Sequence, residues 1–326
     1  MKKVFLCAMA VATMAACSEN EVTLDGAQKV IGFNGAQWGN SVMSRADGDL
    51  DQAVKLGVFA YQTAGAPSAL YIDDELSYQT NAWKLSKTYY WPLTDPELTF
   101  YAYGPKAANN GITAATCAVA GTPTFAYAVT GTPGAQTDVI VDLTGKTQST
   151  GAVTFALSHV LTQVQFKAQL SASPNTELVV KINSITVKAP ASANFAIVAS
   201  KASWSGAATP NASYAALNTE TAVTATNGSS TAIGSFLNMI PGAGAEIVVV
   251  ATAYDKSTAA KVGEKTTTIK CDGSATPNVA AWEAGTLVTY TLTLDPDKVA
   301  AGSGNAIEFG QPTVNTWTPG SGNIDM

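Results

Sequence analysis

Apolar and polar residues alternate along this chain in short runs, separated by clusters of Gly, Pro, Asn and Asp. Residues 54–61, 98–103, 138–143, 153–170, 178–187, 245–254 and 285–294 form such runs. A period of two places Val160, Val164, Phe166 and Leu170 on one face, and Val288, Tyr290, Leu292 and Leu294 on another. Successive side chains of a strand point to opposite faces, so this spacing predicts half-buried strands and, with turn residues between them, antiparallel sandwiches. Long helical periodicities are absent. The start of the chain has a different pattern. Lys2 and Lys3 precede an apolar stretch at 4–16 that is too short to cross a bilayer as a helix and reads as an export signal.

That stretch ends in Met14-Ala15-Ala16-Cys17, small residues before a cysteine. This resembles the lipobox of bacterial lipoproteins, with Met14 in place of the more usual Leu, and implies a signal peptide at 1–16 and a lipidated Cys17. More than one acyl chain is needed for a stable anchor, and a multiply acylated cysteine meets that condition. The anchor places the exported protein at the outer membrane. Ser18-Glu19-Asn20-Glu21 follows, an acidic start similar to surface-export signals.

Length and charge narrow the picture further. With 326 residues and 46% apolar composition, the chain is long enough for two cores, and the boundary is expected near 165, inside the 153–170 run. The net charge is −6 and no basic cluster occurs, so nucleic acid is not an expected partner. Of four cysteines, Cys7 leaves with the signal and Cys17 carries lipid; Cys117 and Cys271 are expected as buried thiols, with pairing left open.

Candidate chemistry is sparse. His159 is the single histidine and lies in an apolar stretch, which favours a hydrogen-bonded structural role over catalysis or metal binding. Asp47-Gly48-Asp49-Leu50-Asp51 begins like a calcium loop, but Gln52 stands at the turn glycine and Val58 at the bidentate glutamate. Nucleophile elbows, phosphate loops and dinucleotide fingerprints are missing, and only 13% of residues are charged. No enzyme, cofactor or metal site is therefore expected.

A series of short motifs then points to a family. Ile31-Gly32-Phe33 precedes Ser44-Arg45-Ala46, and Gly57-Val58-Phe59-Ala60-Tyr61, Tyr89-Tyr90-Trp91-Pro92 and Leu98-Thr99-Phe100-Tyr101-Ala102-Tyr103 follow. Phe155, Leu157, His159 and Leu161-Thr162-Gln163-Val164, then Asn238-Met239-Ile240-Pro241-Gly242, Trp282-Glu283-Ala284-Gly285-Thr286-Leu287-Val288-Thr289-Tyr290 and Thr316-Trp317-Thr318 continue the order. In these features the chain resembles the fimbrillins of type V pili. The resemblance implies an all-β fold of two transthyretin-like antiparallel β-sandwich domains, here expected at 46–165 and 166–326. It also implies a lipoprotein precursor, trimming by an arginine-specific protease, and polymerisation with other pilus subunits by strand exchange.

One observation fits this independently. Arg45 is the sole arginine among 18 basic residues, in a polar, Gly-bearing stretch of the kind proteases cut. A cut between Arg45 and Ala46 removes 17–45 with its first strand, in which Ile31 and Phe33 are expected to face the core. Loss of that strand exposes an apolar groove and unpaired edges, which a strand from another subunit repairs. The donor candidate is the tail, 306–326, offering Ile307, Phe309, Val314 and Trp317, with Pro312 separating two short strands. Two other readings stay open: a pilus tip or anchor subunit, and a surface lipoprotein that binds glycans without polymerising. In the latter, Trp38, Trp83, Trp91, Trp204, Trp282 and Trp317 would supply stacking platforms, although strand-end and core roles suit most of them better.

Overall fold

A computed structural model of the chain describes residues 28–38, 52–64, 69–94, 96–208, 211–242, 244–272 and 281–317. Its first portion contains β1 (Gly32–Trp38), β2 (Leu56–Gln62), β3 (Ile72–Gln79), β4 (Ala82–Leu85), β5 (Leu98–Gly104), β6 (Ile112–Cys117), β7 (Pro123–Ala128), β8 (Ile140–Asp142), β9 (Lys146–Gln148) and β10 (Ala152–His159). The remainder contains β11 (Thr162–Leu170), β12 (Leu178–Ala189), β13 (Ser192–Val198), β14 (Lys201–Ser205), β15 (Ala212–Leu217), β16 (Thr221–Ala222), β17 (Thr231–Ala232), β18 (Leu237–Met239), β19 (Ala245–Asp255), β20 (Lys261–Cys271) and β21 (Thr286–Leu294). A single helical turn, α1 (Pro296–Ala301), precedes β22 (Ile307–Phe309) and β23 (Thr313–Thr316).

The first sheet runs β2-β3-β4-β1-β10-β8-β5-β9, and β2 also pairs with β5, so seven of its strands close into a ring. Strand alternation gives the ring an inside and an outside. Leu56, Val58 and Ala60 of β2, with Leu98, Phe100 and Ala102 of β5, join the core inside. Phe59, Tyr61, Tyr101 and Tyr103, from the same strands, join a second core outside. Both faces of β2 and β5 are therefore covered, which explains why these stretches read as nearly continuous apolar runs. The outer cover is the sheet β14-β13-β7-β6, where Phe125 and Phe195 stack at 4.5 Å.

A third core lies between the sheet that holds β11 and β21 and the sheet that holds β12, β19 and β20. Val164, Phe166 and Ala168 of β11 meet Val288, Tyr290, Leu292 and Leu294 of β21 in it. These sandwiches are mainly antiparallel, with two exceptions. β1 runs parallel to β10, and β11 runs parallel to β21 from Thr162↔Thr286 to Leu170↔Leu294.

The stretch expected as one run at 153–170 is two strands in different sheets. Val160 and Leu161 are adjacent and both fully buried, which alternation does not allow on a half-buried strand, and the chain changes sheet there. Val160 consequently joins the outer core of the ring and not the face of Val164 and Phe166. The turn is fixed from both sides. The Trp204 indole N–H donates to the Val160 carbonyl at 2.8 Å, and the Gly285 N–H donates to the Leu161 carbonyl at 2.8 Å. The β13–β14 hairpin, which follows the boundary expected near 165, pairs with β7 and so completes the cover of the ring.

Candidate functional site

β1 is the strand that closes the ring between β4 and β10. On one side it forms a parallel ladder with β10, from Gly32↔Ala152 to Trp38↔Leu157. On the other it meets β4 at Phe33↔Trp83 and is held further by the segment before β5. There the Ile31 N–H donates to the Tyr89 carbonyl and the Trp91 N–H to the Lys29 carbonyl, each at 2.8 Å. β1 therefore satisfies unpaired backbone on both neighbours, groups that are costly to leave bare when buried.

Its side chains fill the ring. Ile31, Phe33 and Ala36 are buried in the inner core. Phe33 stacks against Phe155 of β10 at 6.1 Å and meets Phe100 of β5 edge-on at 6.3 Å. Trp91 reaches the same Phe100 edge-on at 5.8 Å. A β-bulge between Phe33 and Gly35 leaves Asn34 as the extra residue. At Gly35, φ is +88°, and a Cβ would collide with the Trp83 indole, so both the backbone and the close approach require glycine.

The segment that supports β1 is itself anchored. Asp74 of β3 accepts hydrogen bonds from the Ser86 hydroxyl and from the backbone N–H groups of Glu75 and Lys87, at 2.8 and 3.0 Å for the latter two. Burial opposes ionisation of this carboxyl, but the three hydrogen bonds outweigh it and hold its pKa below the usual value. Tyr71 donates its hydroxyl proton to the Tyr90 carbonyl at 2.6 Å.

The tail lies on its own sandwich. β22 pairs antiparallel with β21 through Phe309↔Leu292 and Ile307↔Leu294, and both side chains are buried in the third core beside Tyr290. β23 pairs with the start of β21 and is exposed throughout, with Val314 at 57%. Trp317 is buried again. Its N–H donates to the Gly285 carbonyl at 2.8 Å, and its ring stacks on His159 at 4.2 Å and 3°. His159 Nδ1 lies 2.5 Å from Asp138 Oδ2, which suits the structural role expected of this histidine.

The expected site residues thus fall in separate places. Ile31 and Phe33 share the ring interior, Ile307 and Phe309 lie in the third core, Trp317 in the ring's outer core, and Val314 is exposed. Cys17, Arg45, Ala46 and the acidic stretch at 47–51 lie outside the described residues. Cys117 and Cys271 are both buried free thiols, and burial pushes the Cys117 thiol up to about 11. Trp91, Trp282 and Trp317 are buried, and the Trp282 indole N–H donates to the Tyr290 hydroxyl at 2.9 Å. Sequence reasoning did not find the roles of Trp83, Gly35 and the 89–91 segment. Gly35, in the strand-like stretch 31–36, is the available signal for the bulge.

Comparison with known proteins gives a consistent set of matches. A family model described as fimbrillin-like matches residues 44–317. Fimbrium subunit Fim1C of Phocaeicola vulgatus is 27% identical over 206 residues, which cover 54% of this chain and 52% of that protein. The chain therefore spans about half the length of this curated relative. A solved fimbrial protein from Bacteroides vulgatus aligns with a TM-score of 0.57 at 21% identity, covering 81% of this chain and 93% of the other. A Bacteroides ovatus protein assigned to cell adhesion aligns with a TM-score of 0.51 at 18% identity, covering 90% and 99%. At these identities the two solved structures bear on fold, and they share the β-sandwich architecture.

Proposed function

Because this chain belongs to the fimbrillin-like family, we propose that it is a structural subunit of a surface fimbrium that assembles by exchanging the first strand of its ring. The observation that carries the proposal is the position of β1. It is the strand that closes the ring between β4 and β10, it holds Ile31 and Phe33 inside, and the sole arginine of the chain follows it in sequence at Arg45. The subunit is exported with lipid on Cys17 and reaches the outer membrane in that form. An arginine-specific protease then cuts between Arg45 and Ala46, and 17–45 departs with β1.

Departure uncovers Phe100 and Phe155, frees backbone groups of Tyr89 and Trp91, and bares the edge of β10 that faces away from β8. Burial of a large apolar side chain contributes about 1.5–3 kcal/mol, so vacating three inward positions costs on the order of 5 kcal/mol or more, before the lost backbone pairing. A strand from a second subunit restores both terms. The tail is the donor. Ile307-Glu308-Phe309 repeats the inward pair of Ile31-Gly32-Phe33, and β22 ends a short distance after the glycine-bearing Gly302-Ser303-Gly304. Its apolar pair is buried in both settings, so the exchange is driven chiefly by re-closing the opened ring. The chain passes from the ring to the second sandwich at Val160 and Leu161, and the remaining strands of both stay folded during exchange.

Arg-specific cleavage of the purified chain tests this. Cutting releases the segment that ends at Arg45 and produces head-to-tail polymers, while Arg45→Ala stays monomeric. An excess of synthetic peptide spanning 304–317 caps the opened slots and suppresses polymer growth. Cleaved protein that polymerises equally well in the presence of the peptide removes the tail as donor. Cleaved protein that keeps β1 and remains monomeric removes strand exchange altogether.

A further inference from the structure

Among the described residues, six large apolar side chains are strongly exposed, and three of them, Val30, Tyr90 and Leu93, belong to the start of β1 and to the segment that pairs with it. They are 56, 42 and 70% exposed. Val30 and Tyr90 face each other across a backbone bridge, and Leu93 follows three residues later in sequence. Scattered apolar residues on a surface need no explanation, whereas a cluster at one place marks a contact. The segment that carries Tyr90 is tied to the ring. Tyr90 is held through its carbonyl by the Tyr71 hydroxyl, the Tyr71 and Tyr89 rings lie 6.5 Å apart, and Trp91 is buried.

The location selects the occupant. β1 enters the ring at this end, since Gly32 pairs with Ala152 at the start of β10, whereas His159, at the other end of β10, borders the second sandwich. A strand that takes the place of β1 in the same direction brings its parent body against this end. The tail starts from the end of the second sandwich farthest from that junction. There Asp295 N–H donates to the Ala306 carbonyl, Ser171 N–H to the Leu294 carbonyl, and Asn175 Nδ2 to Asp297 Oδ1 at 2.7 Å. The same end holds the β19–β20 turn at 255–261, with Val262 49% exposed beside it.

We propose that Tyr90 and Leu93 form a collar that seats a second copy of this chain, and that the copy presents the end carrying Val262, the 255–261 turn and the root of its tail. The proposal rests on the strand-exchange reading and adds the body-to-body contact that the strand alone does not provide. Val30 leaves with β1, so the lasting collar is Tyr90 and Leu93.

A photoreactive phenylalanine analogue in place of Tyr90, in the full chain, tests the collar. After Arg-specific cleavage, cross-links from position 90 are expected at 255–262 or 295–305 of another copy. Adding Leu93→Ser lowers their yield about ten-fold, the equivalent of about 1.4 kcal/mol, and leaves Tm unchanged. The exposed Val198→Ser serves as a control and leaves the yield as it was. Cross-links confined to other regions, or a yield indifferent to Leu93→Ser, overturn the collar. So does labelling of lipid in preference to protein when phosphatidylethanolamine–phosphatidylglycerol vesicles are present, which would make the patch a membrane contact. If cleavage yields no polymer, strand exchange fails on its own; the concentrated uncut chain then decides the collar, with the same cross-links supporting it and their absence overturning it.

Discussion

Phe33 touches both Phe100 of β5 and Phe155 of β10, and so ties β1 to two strands of the ring. Truncating a buried phenylalanine costs about 3–5 kcal/mol, so Phe33→Ala should destabilise the uncut chain by about that amount in urea denaturation. After cleavage and polymerisation the same substitution should have no effect, because the residue has left; a persistent loss would mean that β1 stays. Asp74 supplies a pH-dependent handle on the segment that supports β1. Its carboxyl titrates lower in the fold than in the unfolded chain, where about 3.9 is usual. It therefore contributes stability that is fully present above that value and is lost as pH falls through the folded pKa. The Tm margin of the native chain over Asp74→Asn should be constant near neutrality and shrink on acidification within that window. At this scale, Ile31 and Phe33 were legible because alternation alone sets their face. The demand for glycine at 35 was not, because it arises from Trp83, which is distant in sequence and arrives only through the β1–β4 pairing.

Among the elements, the tail and the β10–β11 turn show what patterning captures and what it omits. Short strands and the apolar faces of β11 and β21 follow from a period of two. The change of sheet at Val160-Leu161 lies within an apolar run that gives no turn residue to mark it, because hydrogen bonds from the distant Trp204 and Gly285 set the turn. Parallel pairing of β11 with β21 joins residues more than a hundred positions apart, beyond the reach of local sequence. The tail divides in the same way. β22 is held by two buried side chains, whereas β23 has exposed side chains and is fastened at its end by Trp317 against His159. Trp317→Ala should therefore speed amide hydrogen exchange at 313–317 and leave 307–309 protected, as measured by exchange mass spectrometry. Equal loss of protection across both strands would show that the tail moves as one unit.

For the whole molecule, the described residues form three cores, and β1 closes the ring that separates two of them; the proposed exchange requires that this one strand leave while the rest stays packed. Its low charge and the exposed apolar residues near Tyr90 suit end-to-end association of copies better than binding to nucleic acid. The same topology explains why family resemblance was readable from scattered motifs. Gly57–Tyr61 and Leu98–Tyr103 are strands covered on both faces, and Leu161–Val164 starts at the change of sheet, so these three motifs mark places where two layers meet. The most direct test is the N-terminal sequence and intact mass of this subunit in fimbriae sheared from cells. Strand exchange predicts a single species that begins at Ala46 and lacks 17–45. Assembled subunits that begin before Arg45 and still carry Ile31 and Phe33 would contradict it.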